Sequence, residues 1–410
     1  MLLTLEQAWE KIVAHVGPST PVRVPLAESG GAILAEDVFA TIDSPPFDKS
    51  MMDGYALRTG DLQAGLSSFR VIEEVAAGQV PRQAVTTGTA IRIMTGAAIP
   101  DGADAVIQLE WTTSTGSEVR IDKGTSRGGL NILPRGQSMR SGEKLFGAGE
   151  SIRAQTMAVL AETGHARPLV RRRPVVGILA TGDELVDVDQ TPGPGQIRNS
   201  NALMLAAQVS EAGAEPRLLG IARDQRDDLR AKILTGLDCD FLCLSGGVSA
   251  GNLDLVPSEL AAAGVEAVFH KVAMKPGKPC WFGVRPPRAG KGAGYVFGLP
   301  GNPVSSMVCF ELFVRLALRR WTGIDISKPQ LSAARLVGAF SHRGDRQTLF
   351  PARVFAEQGV LHVQPVDWKG SADLRSTAQA NCSISIPIGE VAWNDGTLVD
   401  ILPWGRTLGI

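Results

Sequence analysis

The spacing of apolar positions changes along this chain, and each change announces a different kind of element. Residues 4–15 carry Leu5, Ala8, Ile12 and Val13 at helical spacing behind Thr4 and Gln7, a reciprocal capping pattern. Residues 16–47 hold short β-like pieces and an Ala32–Val38 stretch that reads as helical, halted by Pro45-Pro46. From Phe47 to about Val119 the period falls to two, and Val71–Val75, Ala90–Met94 and Ala105–Leu109 predict short strands between turn residues. A helix is predicted near Ala154–Thr163. Beyond Pro174, apolar runs at 175–180, 215–220, 241–244, 265–269 and 295–298 predict strands. Helical patterns at 201–212, about 227–235, 255–263 and 303–320 stand among them. After Lys328-Pro329 the chain returns to strands and turns, as in Val360–Val363 and Ser383–Ile386.

Alternating strand and helix predicts a parallel sheet with helices on both faces, about 150 residues long. The alternating-strand stretch before it reads as a β-rich insertion, and the segment after it as a small antiparallel β-domain. A length of 410 residues accommodates two to four domains, and 44% hydrophobic with 20% charged residues is a globular composition. A net charge of −1 leaves no footprint for a polyanion, which argues against nucleic acid as a partner. Five cysteines without a Cys-x-x-Cys read as buried thiols in a reducing compartment, and five scattered histidines give no zinc spacing. Acids and a lysine interrupt the first dozen residues, and no eighteen apolar residues run together. A soluble cytoplasmic protein without membrane contact is the expectation.

Candidate chemistry lies where the predicted strands end. One run breaks into Thr181-Gly182-Asp183-Glu184-Leu185, another into Ser245-Gly246-Gly247-Val248-Ser249 and on to Asp254. Lys275-Pro276-Gly277-Lys278-Pro279 and Gly298-Leu299-Pro300-Gly301-Asn302-Pro303-Val304-Ser305 follow. In an open parallel sheet such loops share one edge, where ligands sit. That edge would collect amides, hydroxyls, lysines and carboxylates, a set suited to a phosphate-bearing anion with a metal ion. Lys275 and Lys278 offer point charges to an oxyanion. Asp183, Glu184 and Asp254 stand where magnesium would take one or two carboxylates plus substrate phosphate. Asn302 with Pro303 reads as a helix start able to hold an anion, with Ser305 adding a hydroxyl in the first turn. Against this, each acid alone could cap a helix, the lysine turn could be ordinary surface, and Asp53-Gly54 is by itself a turn signal. No sequence-local Ser-His-Asp or Cys-His arrangement is evident, and neither a Walker A loop nor Gly-x-Gly-x-x-Gly stands where a strand meets a helix.

These residues carry a resemblance. The strand-end motifs above, with Gly195-Gln196-Ile197-Arg198-Asn199-Ser200-Asn201, Asp53-Gly54-Tyr55 and Met94-Thr95-Gly96, resemble the molybdopterin molybdenumtransferase family along nearly the whole chain and in the right order. The resemblance implies a multidomain α/β plus β protein: a central three-layer α/β domain with a mostly parallel sheet, an inserted β-rich domain and a C-terminal β-barrel-like domain. Its divisions would fall at 1–46 and 136–173 for a two-part linker domain, 47–135 for the insertion, 174–326 for the pterin-binding domain and 327–410 for the last. It implies a homodimer with an intersubunit active site, which inserts molybdate into adenylylated molybdopterin with release of AMP, using Mg2+.

Carried over residue by residue, molybdate binding falls on Lys275, Lys278, Ser305, Arg346 and Ser371. Acids for the metal and phosphoanhydride fall on Glu184, Asp224 and Asp254, with Glu184 and Asp254 as metal ligands. Asp53 and Thr95 would arrive from the partner subunit, and Lys271 matches a further basic position. Pterin and nucleotide contacts fall on Thr181, Gly182, Asp183, Asn201, Ser245, Gly246, Gly247, Ser249, Pro300, Gly301 and Asn302. The chain departs from the family pattern at Gly136-Gln137-Ser138, where Gly-Glu-Asp is usual, at Asn199, where aspartate is common, and at Leu255, where an aromatic is frequent. A molybdopterin adenylyltransferase, which shares part of the central motifs, and a scaffold of gephyrin type are the alternative readings.

Overall fold

The computed structural model describes residues 2–123, 127–247, 255–288 and 292–405. The chain forms two compact units. One comprises Met1–Val24, Ser29–Ala35 and Leu169–Ile410; the other comprises Pro25–Glu28 and Glu36–Pro168.

The first unit opens with helix α1 (Leu5–His15), where Thr4 and Gln7 form the reciprocal cap that their spacing predicts. Its central sheet contains β1 (Val175–Thr181), β2 (Glu215–Ala222), β3 (Phe241–Ser245), β4 (Glu266–His270), β5 (Trp281–Arg285) and β6 (Gly294–Leu299), in the order β2-β1-β3-β6-β5-β4. β2, β1, β3 and β6 are parallel neighbours, while β5 runs antiparallel to both β6 and β4. β5 was not legible as a strand: the run is short and lies between Pro279 and Pro286, and its partners are supplied only by the fold.

Both faces of the sheet are covered. Helices α2 (Ser200–Glu211), α3 (Arg226–Gly236) and α4 (Val256–Ala262) are followed by α5, residues 303–321, in which Phe310–Val314 makes a π turn between two α-helical stretches. Leu5 and Ile12 of α1, Leu205 and Val209 of α2, and Phe310 and Phe313 of α5 pack in one cluster with Ile178, Phe241 and Phe297 of the sheet. Leu229, Ile233, Val256 and Leu260, from α3 and α4, pack against Leu179, Leu242 and Val296 in another. Burying each of these phenylalanines and leucines is worth about 1.5–3 kcal/mol, so the two clusters are what fix the layers.

The C-terminal segment closes on itself. Gln347–Glu357 pairs on one side with Val360–Pro365, which pairs with Ser332–Leu336, then Leu398–Pro403, then Cys382–Ile386. Cys382–Ile386 returns to Gln347–Glu357 and makes a closed five-stranded barrel around Val354, Val363, Ile384 and Ile401. Closure leaves no unpaired edge between these strands. Met274–Lys275 adds alongside, its residues parallel to Gln347 and Thr348.

The second unit contains a six-stranded sheet in the order Ala105–Gln108, Gly54–Leu57, Thr89–Ile93, Ser68–Val75, Glu118–Ile121, Thr112–Ser114. The helix Ala154–Glu162 belongs to the same unit. The helical reading of Ala32–Val38 is corrected by the structure. Ile33–Leu34 pairs with Val170 and Arg171, and Val38–Phe39 with Lys144 and Phe146. Partners more than a hundred residues away outweigh a local helical preference.

Candidate functional site

The ends of β1, β3 and β6 meet at one edge of the central sheet, and glycine lets them meet closely. Gly246, just past β3, has φ +96°, and a methyl group there would stand 2.7 Å from the Thr181 carbonyl oxygen. Its N–H donates to Leu299 O at 3.1 Å, tying the β3 loop to the end of β6. Asn201, in the first turn of α2, completes the link by donating from Nδ2 to Ser245 Oγ (2.8 Å) and Gly301 O (2.7 Å). Asn199, which stands where the family commonly has aspartate, caps that helix by accepting from Ala202 N at 3.2 Å, a role the two residues fill equally well. Thr181, Asn201, Ser245, Gly246 and Gly301 are therefore one constellation. Within it, Thr181 Oγ1 and Asn201 Oδ1 are buried and have no hydrogen-bond partner among the described residues. Buried polar atoms of this kind are uncommon, and at a loop cluster they mark where a ligand would bond.

The turn from β6 into α5 extends the constellation toward the barrel. Asn302 is the N-cap residue and Pro303 the first helical residue, as their order predicts, but the Asn302 side chain does not cap. Instead its Nδ2 donates to Ser371 Oγ at 2.9 Å, and Val304 N donates to Ser371 O at 3.0 Å. Ser305 is buried in the first turn of the helix. Pro300 is buried while Gly301 and Asn302 are exposed. The lysine turn approaches this helix, since a Cβ on Gly277 would lie 2.6 Å from Cys309 Sγ and 3.6 Å from Ser305 O. Lys275 and Lys278 are both exposed. Lys271, with φ +74°, donates its N–H to Cys280 O at the head of the same turn.

Pairing of Lys275 with Thr348 brings a further group of charges to the lysine. Arg346 Nη1 donates to Met274 O at 3.4 Å, and its Nε donates to Asp345 Oδ1 at 3.2 Å. The Arg346 contact holds the Asp345 carboxyl below its usual range, with Lys275 adding to the effect. His342 bonds Thr348 Oγ1 at 3.1 Å; burial, then repulsion from Lys275, pushes its pKa down.

The acids sit along the β1 and β2 ends. Asp183 Oδ1 accepts from Asp224 N at 3.1 Å. Glu184 is exposed, and its carboxylate occupies the space a Gly182 side chain would need, 2.2 Å from an ideal Cβ. Arg223 was missed by sequence reasoning. Its Nη1 donates to the carbonyls of Gly182 (3.4 Å), Asp183 (3.2 Å) and Leu185 (3.0 Å), so it holds the turn that presents both acids. Its position one residue beyond β2, at the same sheet edge as the glycine loops, was the signal available.

Ser249 and Asp254 lie outside the described residues. Among the described residues no three His, Cys, Asp or Glu side chains form a metal cluster. Asp53 and Thr95 meet in the second unit. Thr95 donates from its amide (2.7 Å) and hydroxyl (2.8 Å) to Asp53 Oδ1, the amide first in holding that carboxyl below its usual range. In the same unit Arg135 pairs with Asp43 at 2.6 Å, and Ser138 donates its N–H to Ser44 O in the stretch that departs from the family pattern.

A three-layer α/β domain with a glycine- and hydroxyl-lined strand edge, joined to a closed β-barrel whose neighbouring turn bears lysines, defines a multidomain α/β protein with β-domains. Family models cover most of it: the MoeA N-terminal region (domain I and II) at residues 3–164, a probable molybdopterin binding domain at 177–320, and the MoeA C-terminal region (domain IV) at 333–404. The molybdopterin molybdenumtransferase of Staphylococcus aureus strain Mu50 is 35% identical over 408 residues, covering 98% of this chain and 95% of that one. That of Staphylococcus epidermidis ATCC 35984 is 33% identical with the same coverage. A crystal structure of a molybdopterin biosynthesis MoeA protein from Pyrococcus horikoshii superposes with a TM-score of 0.82 at 31% identity, covering 99% of this chain and all of that one. The chain belongs to the molybdopterin molybdenumtransferase family.

Proposed function

We propose that this chain inserts molybdate into the dithiolene of adenylylated molybdopterin and releases AMP. The observation that carries the reading is the linked edge of the central sheet: Asn201 joins the β3 and β6 loops, and two buried polar atoms there, Thr181 Oγ1 and Asn201 Oδ1, await partners. The nucleotide-linked pterin lies along that edge, against Thr181, Gly182, Asp183, Ser245, Gly246, Gly247, Pro300 and Gly301, and Ser249 is assigned to it from the family pattern alone. Molybdate, a tetrahedral dianion and here a substrate, sits between Lys275, Lys278 and Arg346 and the hydroxyls of Ser305 and Ser371. The N-terminal end of the α5 dipole adds to that positive field.

Glu184 and Asp254 are the residues we assign to magnesium, with Asp183 next to Glu184 in the β1 turn and accepting from Asp224 N. A magnesium ion held by one or two carboxylates would take its remaining ligands from phosphate and water. Bound there, the ion supplies charge neutralisation for the phosphoanhydride. Arg223 keeps the acids in place by holding three carbonyls of their turn. Water adds to the phosphoanhydride phosphorus as the P–O bond to the leaving AMP breaks, and Lys275 and Lys271 stabilise the negative charge that develops. We further assign the chain to a homodimer in which Asp53 and Thr95 complete the site of the other subunit, and to the cytoplasm, where five buried free thiols stay reduced.

The test is AMP release from adenylylated molybdopterin with magnesium, with and without molybdate. Molybdate-dependent release supports the assignment. Adenylylation of molybdopterin from ATP would instead make it an adenylyltransferase, and neither activity would leave a scaffold. Mixing inactive Asp53→Ala and Lys275→Ala proteins tests the shared site, since mixed dimers regain one intact site and turnover must return.

A further inference from the structure

A polar cavity lies at the other end of the central sheet. It has a volume of about 380 Å3, and its lining includes Ser19, Arg172, Arg285, Tyr295 and Trp321. These residues stand where β1, β3 and β6 begin, and where the antiparallel β5 ends, so the cavity is on the opposite edge from the loops described above. Its volume falls in the range of small-molecule sites.

Two of its polar side chains are incompletely satisfied. Arg285 is 3% exposed. It donates from Nη1 to Pro286 O (2.9 Å) and from Nη2 to Gly292 O (3.0 Å), while its Nε is buried without a partner among the described residues. No carboxylate lies in ion-pair contact with Arg285 among those residues; Asp238 acts on it only at longer range, and Arg288 repels it. Ser19, 8% exposed, has its Oγ buried and equally unpartnered. A buried guanidinium without a counter-ion is costly, and a protein that keeps one usually pairs it with something.

The other charges at the cavity are already neutralised or engaged. Arg172 forks onto Asp240 with contacts of 2.7 and 2.5 Å, and Asp240 also accepts from Val175 N at 2.8 Å. The same guanidinium lies 4.9 Å from the centre of the Trp321 ring, and Tyr295 adds a second aromatic wall. Asp238 has an interaction of its own and is not free.

We propose that this cavity binds a small organic or inorganic oxyanion, its carboxylate or phosphate head on Arg285 and Ser19 and any flat apolar body against Tyr295 and Trp321. The site is separate from the catalytic edge and does not depend on the reaction assigned there.

Calorimetric titration of the full protein with benzoate, with inorganic phosphate and with uncharged benzamide tests it. Binding of benzoate alone identifies a carboxylate site with an aromatic wall; binding of phosphate identifies a phosphate site; both require benzamide to be silent. Binding must persist in Lys275→Ala, which separates it from the oxyanion cradle at the other edge. Arg285→Gln should weaken it on the order of tenfold or more, as loss of a charge-assisted bond does. Should that variant fail to fold, Ala293→Phe keeps the guanidinium and fills the space, and it must abolish binding. No binding of either anion, loss of binding in Lys275→Ala, or full binding in Ala293→Phe overturns the proposal.

Discussion

Where β1, β3 and β6 end, the chain turns on glycine and leaves Thr181 Oγ1 and Asn201 Oδ1 without partners among the described residues. Where the same strands begin, it is stapled. Asp240 accepts from Val175 N and the Arg172 fork through its side chain, and from Tyr295 N through its carbonyl, so one residue ties three strands. The ending edge keeps two unpartnered polar atoms beside its glycine turns, while the starting edge ties its strands through Asp240 and keeps such atoms at the Arg285 and Ser19 cavity. The comparison teaches that one end of the sheet depends on close glycine turns and the other on a single aspartate that joins three strands, so substitutions at the two ends should fail in different ways.

The sharpest break comes at Lys275. It is exposed, so removing it forfeits little packing, but it faces the position proposed for an oxyanion. Lys275→Ala should lower molybdate-dependent AMP release by about 10²–10³-fold, as losing one preorganised charge-stabilising group does, with Tm essentially unchanged. Unaltered turnover would remove the lysine turn from the site. Next is Gly246→Ala. A methyl at a residue with φ +96° and 2.7 Å from a backbone oxygen cannot be relieved by moving a flexible side chain. It should cost roughly 1–3 kcal/mol of stability in denaturant unfolding, and raise KM for the pterin substrate as well. A fully stable Gly246→Ala with normal KM would show that the β3 loop does not require so close an approach.

How much of this contrast was readable beforehand follows from the range of the interactions. The strand-end motifs are local, and so were β1, β3, β6 and the helix start at Asn302-Pro303. Gly246 and Gly182 could be recognised as turn residues, but not that one nearly touches the Thr181 carbonyl and the other the Glu184 carboxylate. β5 escaped because nothing between Pro279 and Pro286 announces that β6 and β4 will flank it. The charges around Lys275 are set by its parallel pairing with Thr348, seventy-three positions on, which no spacing rule supplies. Arg223 follows a strand that breaks into no glycine-rich loop, and its three carbonyl partners exist only after the β1 turn has formed.

At the stapled edge the expected loss is smaller and of the other kind. Asp240→Ala removes the acceptor for Val175 N and frees the Arg172 fork. Arg172 is 45% exposed, so solvent already screens much of the ion pair. The main cost is the unsatisfied strand amide, about 1–2 kcal/mol in urea unfolding. Turnover per folded molecule should hold. A drop in turnover without a drop in stability would mean that the two edges are not independent.

The subtlest effect tests whether gathering positive charge at the catalytic edge costs stability in acid. His342 has its pKa pushed below the ordinary 6.5, first by burial and then by Lys275. Below about pH 6.5 the unfolded chain therefore takes up a proton that the folded chain resists, and folding stability must fall as pH drops through that window. His342→Gln removes the titration, so its stability relative to the parent should rise between pH 7.5 and pH 5.5. Lys275→Ala should recover part of the same difference, since it removes the smaller of the two causes and leaves burial in place. Urea unfolding of the three proteins at both pH values checks this. An unchanged gap between the parent and His342→Gln would mean that the histidine is hydrated in the folded protein and that the lysine turn stands clear of the barrel strand beside it.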